Sequence, residues 1–225
     1  MTVSTLRTES TDERTIVSRL RAIRLVPVIV IDDPRSAPAL GRALADGGLP
    51  CAEVTFRTAG AREALARLTD ECPDVLAGAG TILTAGQAAE ARAAGAMFIV
   101  APGFSPAVVD YCLGHGIPVF PGIATPTELE AALAHGLSVV KVFPIEPLGG
   151  LPYLKAISTP YGDAVEFMPS GGINLSNLES YLGFSRVVSC GASWIAPAER
   201  IAAGDFEGIT SEVVRAGAVL QLSSR

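Results

Sequence analysis

Residues 137–144 read Leu-Ser-Val-Val-Lys-Val-Phe-Pro, a β-branched and aromatic run with a lysine at its centre. The run predicts a β-strand, because such side chains fit a pleated, half-buried surface. Side chains alternate between the two faces of a strand, so Lys141 shares one face with Val139 and Phe143. Apolar residues on both faces are typical of a parallel sheet that is covered on both sides.

The lysine in this run has two explanations. Burial among apolar neighbours disfavours the ammonium form and leaves some free amine, which is a nucleophile for carbonyl compounds. Alternatively, Lys141 lies at a strand end and its charged group reaches water along its alkyl chain. The sequence contains one other lysine, Lys155, so a general abundance of lysine does not explain the position.

The length allows one large domain or two small ones, and the sequence shows no linker or change of composition that would separate two. The chain has 225 residues, of which 49% are hydrophobic, so it can bury a sizeable core. We expect residues 1–10, which are rich in Thr and Ser, to be frayed, and residues 11–225 to form a single domain. The net charge of −6 argues against a nucleic-acid or membrane surface as the main partner. A local site on such a protein can still bind a small anion.

The cysteines and the apolar segments indicate the compartment. The four cysteines are widely spaced, with no CxxC pair and no nearby pair of histidines, so neither a zinc site nor a disulfide framework is expected. No apolar segment approaches the roughly 18 residues of a membrane span, and the N-terminus has no signal-like apolar region. We therefore expect a cytoplasmic protein whose cysteines are small core residues.

Strand-like and helical segments alternate along the chain. A helix is expected from about residue 11, with apolar residues at helical spacing up to Leu25. The predicted strands are 26–31, 51–56, 75–80, 97–101, 118–121, 139–143, 165–168 and 186–190. The helical stretches after them are 37–45, 61–68, 85–94, 107–113, 127–134, 150–157, 175–182 and 207–220.

This alternation indicates an α/β fold. Eight strands that start every 21–26 residues match a compact (β/α)8 TIM barrel, whose floor would be closed by the extra N-terminal helix. The alternative is a doubly wound open sheet. The near-uniform spacing favours the barrel.

Polar residues occupy one face of the second predicted strand. Period two places Glu53, Thr55 and Arg57 together, opposite an apolar face that includes Phe56. A barrel strand packs its apolar face against the helices, so the polar face points inward, near the carboxyl ends where sites of this fold lie. The alternative is a buried Glu53–Arg57 salt bridge with a purely structural role.

Three other strands end in small residues or glycines. Thr81 follows the third strand and offers its hydroxyl either to a site or to the next helix as a cap. Gly171 and Gly172 follow the seventh strand, and Gly191 to Ser193 end the eighth. Such glycines either make a tight turn or present backbone N–H groups to a phosphate, which (β/α)8 enzymes often bind at these two strands.

Taken together, these motifs resemble the family of 2-keto-3-deoxy-6-phosphogluconate (KDPG) aldolases and 4-hydroxy-2-oxoglutarate aldolases. The resemblance runs in chain order from about residue 16 to the C-terminus. Its segments are VPVIV at 26–30, EVTFRT at 53–58, GAGT at 78–81, PGI at 121–123, KVFP at 141–144, GGI at 171–173 and GASW at 191–194.

The resemblance implies a homotrimeric class I aldolase of (β/α)8 fold that needs no metal or other cofactor. It implies that Lys141 forms a Schiff base and that Glu53 is the general acid and base. Arg57 is expected to bind the substrate carboxylate beside Thr81, and Phe143 to pack against the keto acid. The residues expected at the phosphate end are Ser170, Gly171, Gly172 and Ser193, of which Ser170 stands where many members have threonine.

The reaction that this resemblance implies is cleavage of 2-dehydro-3-deoxy-6-phosphogluconate, an Entner–Doudoroff step of carbohydrate metabolism, to pyruvate and glyceraldehyde 3-phosphate. The sequence leaves open 4-hydroxy-2-oxoglutarate and 2-dehydro-3-deoxy-6-phosphogalactonate as substrates. It also leaves open a phosphate-binding barrel enzyme without a Schiff base, and a non-catalytic barrel that binds sugar phosphates.

Overall fold

The computed structural model describes residues 13–222, so the predicted frayed segment, residues 1–10, lies outside the described part of the chain. The strands are β1 (Leu25–Ile29), β2 (Cys51–Thr55), β3 (Leu76–Gly80), β4 (Ile99–Val100), β5 (Val119–Phe120), β6 (Gly122–Ile123), β7 (Val139–Val142), β8 (Glu166–Pro169) and β9 (Cys190–Ala192). The helices are α1 (Glu13–Ile23), α2 (Ala37–Asp46), α3 (Ala61–Glu71), α4 (Ala85–Ala93), α5 (Pro106–Gly114), α6 (Pro126–Ala134), α7 (Gly150–Ser158), α8 (Leu178–Leu182), α9 (Ala198–Ala203) and α10 (Phe206–Leu222). Two short 3₁₀ segments, Pro34–Ser36 and Thr159–Ala164, complete the regular structure.

Most predicted segments coincide with an element, but the strands show three differences. Leu25 begins β1 instead of ending α1, and the break falls at Arg24, whose φ is 66°. The fifth predicted strand is two short strands, β5 and β6, on either side of Pro121, which has no N–H for a ladder. The last strand is shifted toward the C-terminus: Val187 forms only an isolated bridge with Phe167, and β9 starts at Cys190.

Two helices also differ from the prediction. The helix predicted at 175–182 starts at Leu178, because the preceding turn is held by side chains: Ser176 N donates to Asn174 Oδ1 at 2.9 Å, and Asn174 N to Asn177 Oδ1 at 2.8 Å. Such local bonds compete with the first helical turn. The short helix α9 was not predicted, although Pro197 stands before its first residue.

The strands are parallel and follow one another around the molecule. One sheet has the order β5-β4-β3-β2-β1-β9 and the other the order β6-β7-β8. Parallel bridges Phe167↔Val187 and Ser170↔Gly191 connect β8 with the β9 segment. The pairing of β1 with β9 curls the sheet so that the first and last strands are neighbours. A doubly wound order, in which the chain reverses direction from a central strand, is therefore wrong.

The core has two parts, which reflect the alternation of side chains along the strands. The outer part packs residues such as Ala52, Val54, Val140 and Val142 with the helices. The inner part lies within the curled sheet and consists of Val26, Cys51, Leu76, Phe98, Val100, Phe120, Val139, Met168 and Val188, together with Ile16 and Leu20 of α1. Helix α1 thus packs against the inner side chains and leaves the carboxyl ends of the strands open for a site.

Candidate active site

A cavity of about 160 Å³ lies at the carboxyl ends of the strands. The nine residues that the sequence predicts for the site all line it: Glu53, Arg57, Thr81, Lys141, Phe143, Ser170, Gly171, Gly172 and Ser193. Further lining residues are Val28, Thr55, Pro102, Ile173 and Gly191. Of these, Val28 could have been found from its position, because period two places it on the same strand face as the inward Val26.

Lys141 of β7 and Glu53 of β2 meet inside this cavity. Lys141 Nζ lies 3.3 Å from Glu53 Oε1, and the two residues are 7% and 2% exposed. The lysine is therefore buried and paired, and the alternative that its side chain carries the amine out to water is wrong. The expected alternative partner of Glu53, Arg57, does not bond to it within the described chain.

Neighbouring residues restrict the positions of the Lys141 and Glu53 side chains. A side chain at position 80 would overlap Oε1 of Glu53, so the glycine of β3 leaves the space that the carboxylate fills. Thr55, one step further along β2, donates its hydroxyl to Ile29 O at 2.7 Å. The ring of Phe143 lies 5.5 Å from Lys141 Nζ, a distance at which an aromatic face still attracts an ammonium group.

Arg57 and Thr81 border the open side of the cavity. Arg57 is exposed and forms no ion pair within residues 13–222, so its five N–H donors remain available to an anionic ligand. Thr81 has a φ of 58°, a left-handed conformation that is costly for a β-branched residue. The alternative role of Thr81 as a helix cap is wrong, because Thr84 caps α4 by accepting a bond from Gln87 N.

The segment after β8 forms the opposite wall. Gly171 and Gly172 have φ values of 91° and 97°, which only glycine adopts without strain. Their N–H groups donate to no residue in the described part of the chain. Ser170, which is buried, and Ser193, which is exposed, add hydroxyl groups on the same side. Free backbone amides beside hydroxyls form a concave surface suited to an anion.

The four cysteines are buried and free, and burial raises the pKa of each thiol. Within residues 13–222, no three His, Cys, Asp or Glu residues are grouped so that they could hold a metal ion. None of the described helices is long and apolar enough to cross a membrane.

These features define a class of protein: a parallel α/β fold with a buried amine and carboxylate at the carboxyl ends of its strands, facing a glycine turn whose backbone amides are free within residues 13–222. An amine in this setting can add to a carbonyl carbon, and a carboxylate within 3.3 Å can move the protons that this addition requires. The family model for KDPG and KHG aldolase matches residues 16–212. The chain belongs to this family.

Individual relatives agree with the family match. The 2-dehydro-3-deoxy-phosphogluconate aldolase of Treponema pallidum (strain Nichols) is 53% identical over 197 residues, which span 88% of this chain and 93% of that protein. The KDPG aldolase of Legionella pneumophila, whose structure holds pyruvate as a covalent carbinolamine, is 40% identical, with a TM-score of 0.84 over 88% of this chain and 97% of its own. The Zymomonas mobilis ZM4 aldolase, solved with 3-phosphoglycerate, is 35% identical, with a TM-score of 0.86 over 92% and 97%.

Proposed function

We propose that this protein is a class I aldolase, a carbon–carbon lyase that cleaves KDPG to pyruvate and glyceraldehyde 3-phosphate through a Schiff base on Lys141. The observation that carries the proposal is the buried contact of Lys141 with Glu53. The carbinolamine in the Legionella pneumophila relative is the adduct that forms when an amine adds to the keto carbon of pyruvate. The same addition at Lys141 is the first step proposed here.

Formation of the Schiff base requires three proton transfers. The free amine of Lys141 attacks the C2 carbonyl carbon of the substrate, the nitrogen loses a proton to Glu53, and the carbonyl oxygen takes a proton from solvent to give a neutral carbinolamine. Loss of that hydroxyl as water, with a proton from Glu53, gives an iminium ion. Because Glu53 lies 3.3 Å from Nζ, it can take the proton that the attacking nitrogen loses and return it to the leaving hydroxyl.

Carbon–carbon cleavage follows from the positive iminium. Glu53, acting through a water molecule, removes the proton of the C4 hydroxyl, and the C3–C4 bond breaks as the aldehyde forms. The bond electrons move into the iminium to give a neutral enamine. Glu53 then returns a proton to C3, and water hydrolyses the new iminium, which releases pyruvate and restores the amine of Lys141.

The remaining residues hold the two ends of the substrate. The planar guanidinium of Arg57 fits the carboxylate in a two-point bond, with the hydroxyl of Thr81 beside it. Phe143, which is 39% exposed, covers the keto-acid portion. The phosphate would lie against the amides and hydroxyls of Ser170, Gly171, Gly172 and Ser193, which line the same cavity.

Other substrates use this site less completely. 4-Hydroxy-2-oxoglutarate has no phosphate, and its second carboxylate is at C5, so it lacks the terminal anion that KDPG carries on the C6 oxygen and extends less far toward the glycine turn. The phosphogalactonate differs from KDPG only in the configuration at C4, which faces Glu53 in this proposal. Pyruvate release from each of the three compounds, measured with a coupled assay, ranks them directly.

Larger features of the family are also proposed for this chain. We propose that the strands close into a (β/α)8 barrel, with β5 and β6 acting as one interrupted strand, as the inner cluster and the two bridges at β9 support. Residues 11–225 would then be one domain, and the domain would assemble as a homotrimer, which light scattering can measure. A cytoplasmic location agrees with four free cysteines.

Borohydride trapping tests the central claim. The protein is incubated with pyruvate and sodium borohydride, and the reduced adduct is mapped by peptide mass. The adduct should lie on Lys141 and be absent from Lys141→Met, which keeps most of the side-chain volume. Lys155, the other lysine, is exposed on α7, so Lys155→Ala is the matched control and should trap pyruvate normally. An adduct that persists in Lys141→Met would exclude the proposed role.

A further inference from the structure

We propose that Glu146, Tyr181 and Asn177 are positioning residues that hold the Gly171–Gly172 turn with its amides facing the cavity, and that they thereby determine the affinity for the phosphate end of the substrate. The inference rests on the proposed function. None of the three side chains lines the cavity, and no motif in the sequence marks them. They act on the turn from its far side.

Three successive carbonyl groups of the turn accept hydrogen bonds from residues that do not line the cavity. Ile145 N donates to Ser170 O at 2.8 Å, and Glu146 N donates to Gly171 O at 3.1 Å. Gly172 O accepts two bonds, each 3.1 Å long, from the side-chain amides of Asn174 and Asn177. A peptide group whose oxygen is fixed on one side presents the N–H of the following residue on the other side, because the group is planar.

Glu146 also supports the turn by direct packing. A Cβ atom built on Gly172 would lie 2.5 Å from Glu146 Cγ and 2.6 Å from its Cβ, so the glycine rests against the stem of this side chain. The stem is itself fixed at its far end, because the hydroxyl of Tyr181 donates a short hydrogen bond to Glu146 Oε1. Tyr181 belongs to α8 and is 1% exposed, so the donor has a fixed position.

We call the hydrogen bond between Tyr181 and Glu146 the brace, and its chemistry keeps it formed at neutral pH. Burial, together with the carboxylate of Glu146, raises the pKa of Tyr181, so the phenol stays protonated and remains a donor throughout the neutral range. The contact joins α8 to the loop between β7 and α7, and the glycine turn lies beside that loop. Loss of the hydroxyl would free the Glu146 stem and allow the turn to change its position.

Measuring the affinities for glycerol 3-phosphate and for pyruvate distinguishes support of the glycine turn from a general disturbance of the protein. The dissociation constant of glycerol 3-phosphate reports on the glycine turn, and the pyruvate concentration for half-maximal borohydride inactivation reports on Lys141 and the carboxylate end. Tyr181→Phe should weaken glycerol 3-phosphate about fivefold, the equivalent of one hydrogen bond of about 1 kcal/mol. The half-maximal pyruvate concentration should stay unchanged. Asn177→Ala should give the same pattern.

Two control variants leave the hydrogen bond between Tyr181 and residue 146 in place. Tyr153→Phe removes another tyrosine hydroxyl, which belongs to a half-buried side chain and donates to Ala124 O, and it should change neither affinity. Glu146→Gln retains an acceptor for Tyr181 and should bind glycerol 3-phosphate at least as tightly as the unaltered protein, whereas Glu146→Ala should not. Equal losses in the Gln and Ala variants would contradict the role of the hydrogen bond.

The remaining outcomes distinguish the two proposals. If the unaltered protein forms no pyruvate adduct, the aldolase proposal fails, while the binding of glycerol 3-phosphate still tests the brace. If pyruvate adducts form but Tyr181→Phe and Asn177→Ala bind glycerol 3-phosphate normally, the brace is overturned and the aldolase proposal stands. A purely structural role would lower the melting temperature of these variants without changing either affinity.

Discussion

The carboxylate of Glu53 occupies space that exists because residue 80 is glycine. Thr55 of β2 and Gly80 of β3 are register partners, so the two strands run side by side at this level. A methyl group on residue 80 would overlap Oε1 of Glu53 and push the carboxylate from its place beside Lys141. The inner wall of the sheet thus fixes the distance between the Lys141 amine and the Glu53 carboxylate.

Gly80→Ala should therefore impair both catalysis and folding. We expect kcat to fall about a hundredfold, the usual result of moving a reacting group by about 1 Å. The free energy of unfolding should fall by about 1–3 kcal/mol, because the core becomes overpacked. Steady-state kinetics and urea denaturation measure the two effects. Gly114→Ala is the control, since a Cβ there meets nothing within 4 Å. Normal kcat in Gly80→Ala would show that Glu53 need not sit where it does.

At the level of single residues, the sequence predicts which residues form the site but not which of them contact each other. Alternation along β2 predicts that Glu53 points inward, and the family resemblance places Lys141 in the same site; both residues line the cavity. The pairing itself could not be predicted, because it joins strands 88 positions apart and an Arg57 partner was as plausible from spacing. The Tyr181–Glu146 bond likewise joins segments that no pattern in the sequence connects.

Helix α1 packs against the inner side chains of the curled sheet, at the end opposite the cavity. Its Ile16 and Leu20 are fully buried in the inner cluster, next to residues near the starts of β1, β2 and β7. The periodicity of the sequence predicts this helix because its apolar residues recur at helical spacing. It does not predict that the helix ends before Leu25, since Arg24 carries no glycine-like signal for its positive φ.

Truncation of Leu20 should weaken the fold and spare the site. We expect Leu20→Ala to lower the free energy of unfolding by about 2–5 kcal/mol, because a buried leucine leaves a cavity. The pyruvate-trapping rate of the folded fraction should stay unchanged. Leu113→Ala, at a leucine that is 42% exposed, should cost less than about 1 kcal/mol. Urea denaturation of both variants measures the difference, and equal losses would mean that α1 contributes little to the core.

At the level of the whole molecule, the sequential order of parallel strands creates an interior with two apolar shells. The regular spacing of strand-like segments predicts this order, because each helical crossover returns the chain to the next strand. The exact ends of β9 depend on neighbouring strands, so the local sequence did not predict them. The interruption at Pro121 has a local cause, the missing N–H of proline, and was open to prediction. One consequence of the two shells is that Cys51 of the inner shell and Cys190 of the outer shell are both inaccessible to water.

Because these thiols are buried, the free energy of unfolding should fall as the pH becomes alkaline. Burial raises the pKa of the Cys51 and Cys190 thiols far above the ordinary value of 9.0. The unfolded chain loses these protons above pH 9 and the folded chain keeps them, so the unfolded state binds fewer protons there. The contribution of each thiol to the free energy of unfolding is therefore fully present below pH 9. Above pH 9 it falls by about 1.4 kcal/mol per pH unit.

Cys51→Ala isolates the contribution of one thiol. The variant should be less stable than the unaltered protein at pH 8, because a small cavity replaces the sulfur. Between pH 8 and pH 10, however, it should lose about 1 kcal/mol less of its free energy of unfolding, since it has one group fewer to ionise on unfolding. Urea denaturation at both pH values, with a reducing agent present, measures the two slopes. Parallel slopes would mean that the Cys51 thiol ionises as readily in the folded protein as in the unfolded chain.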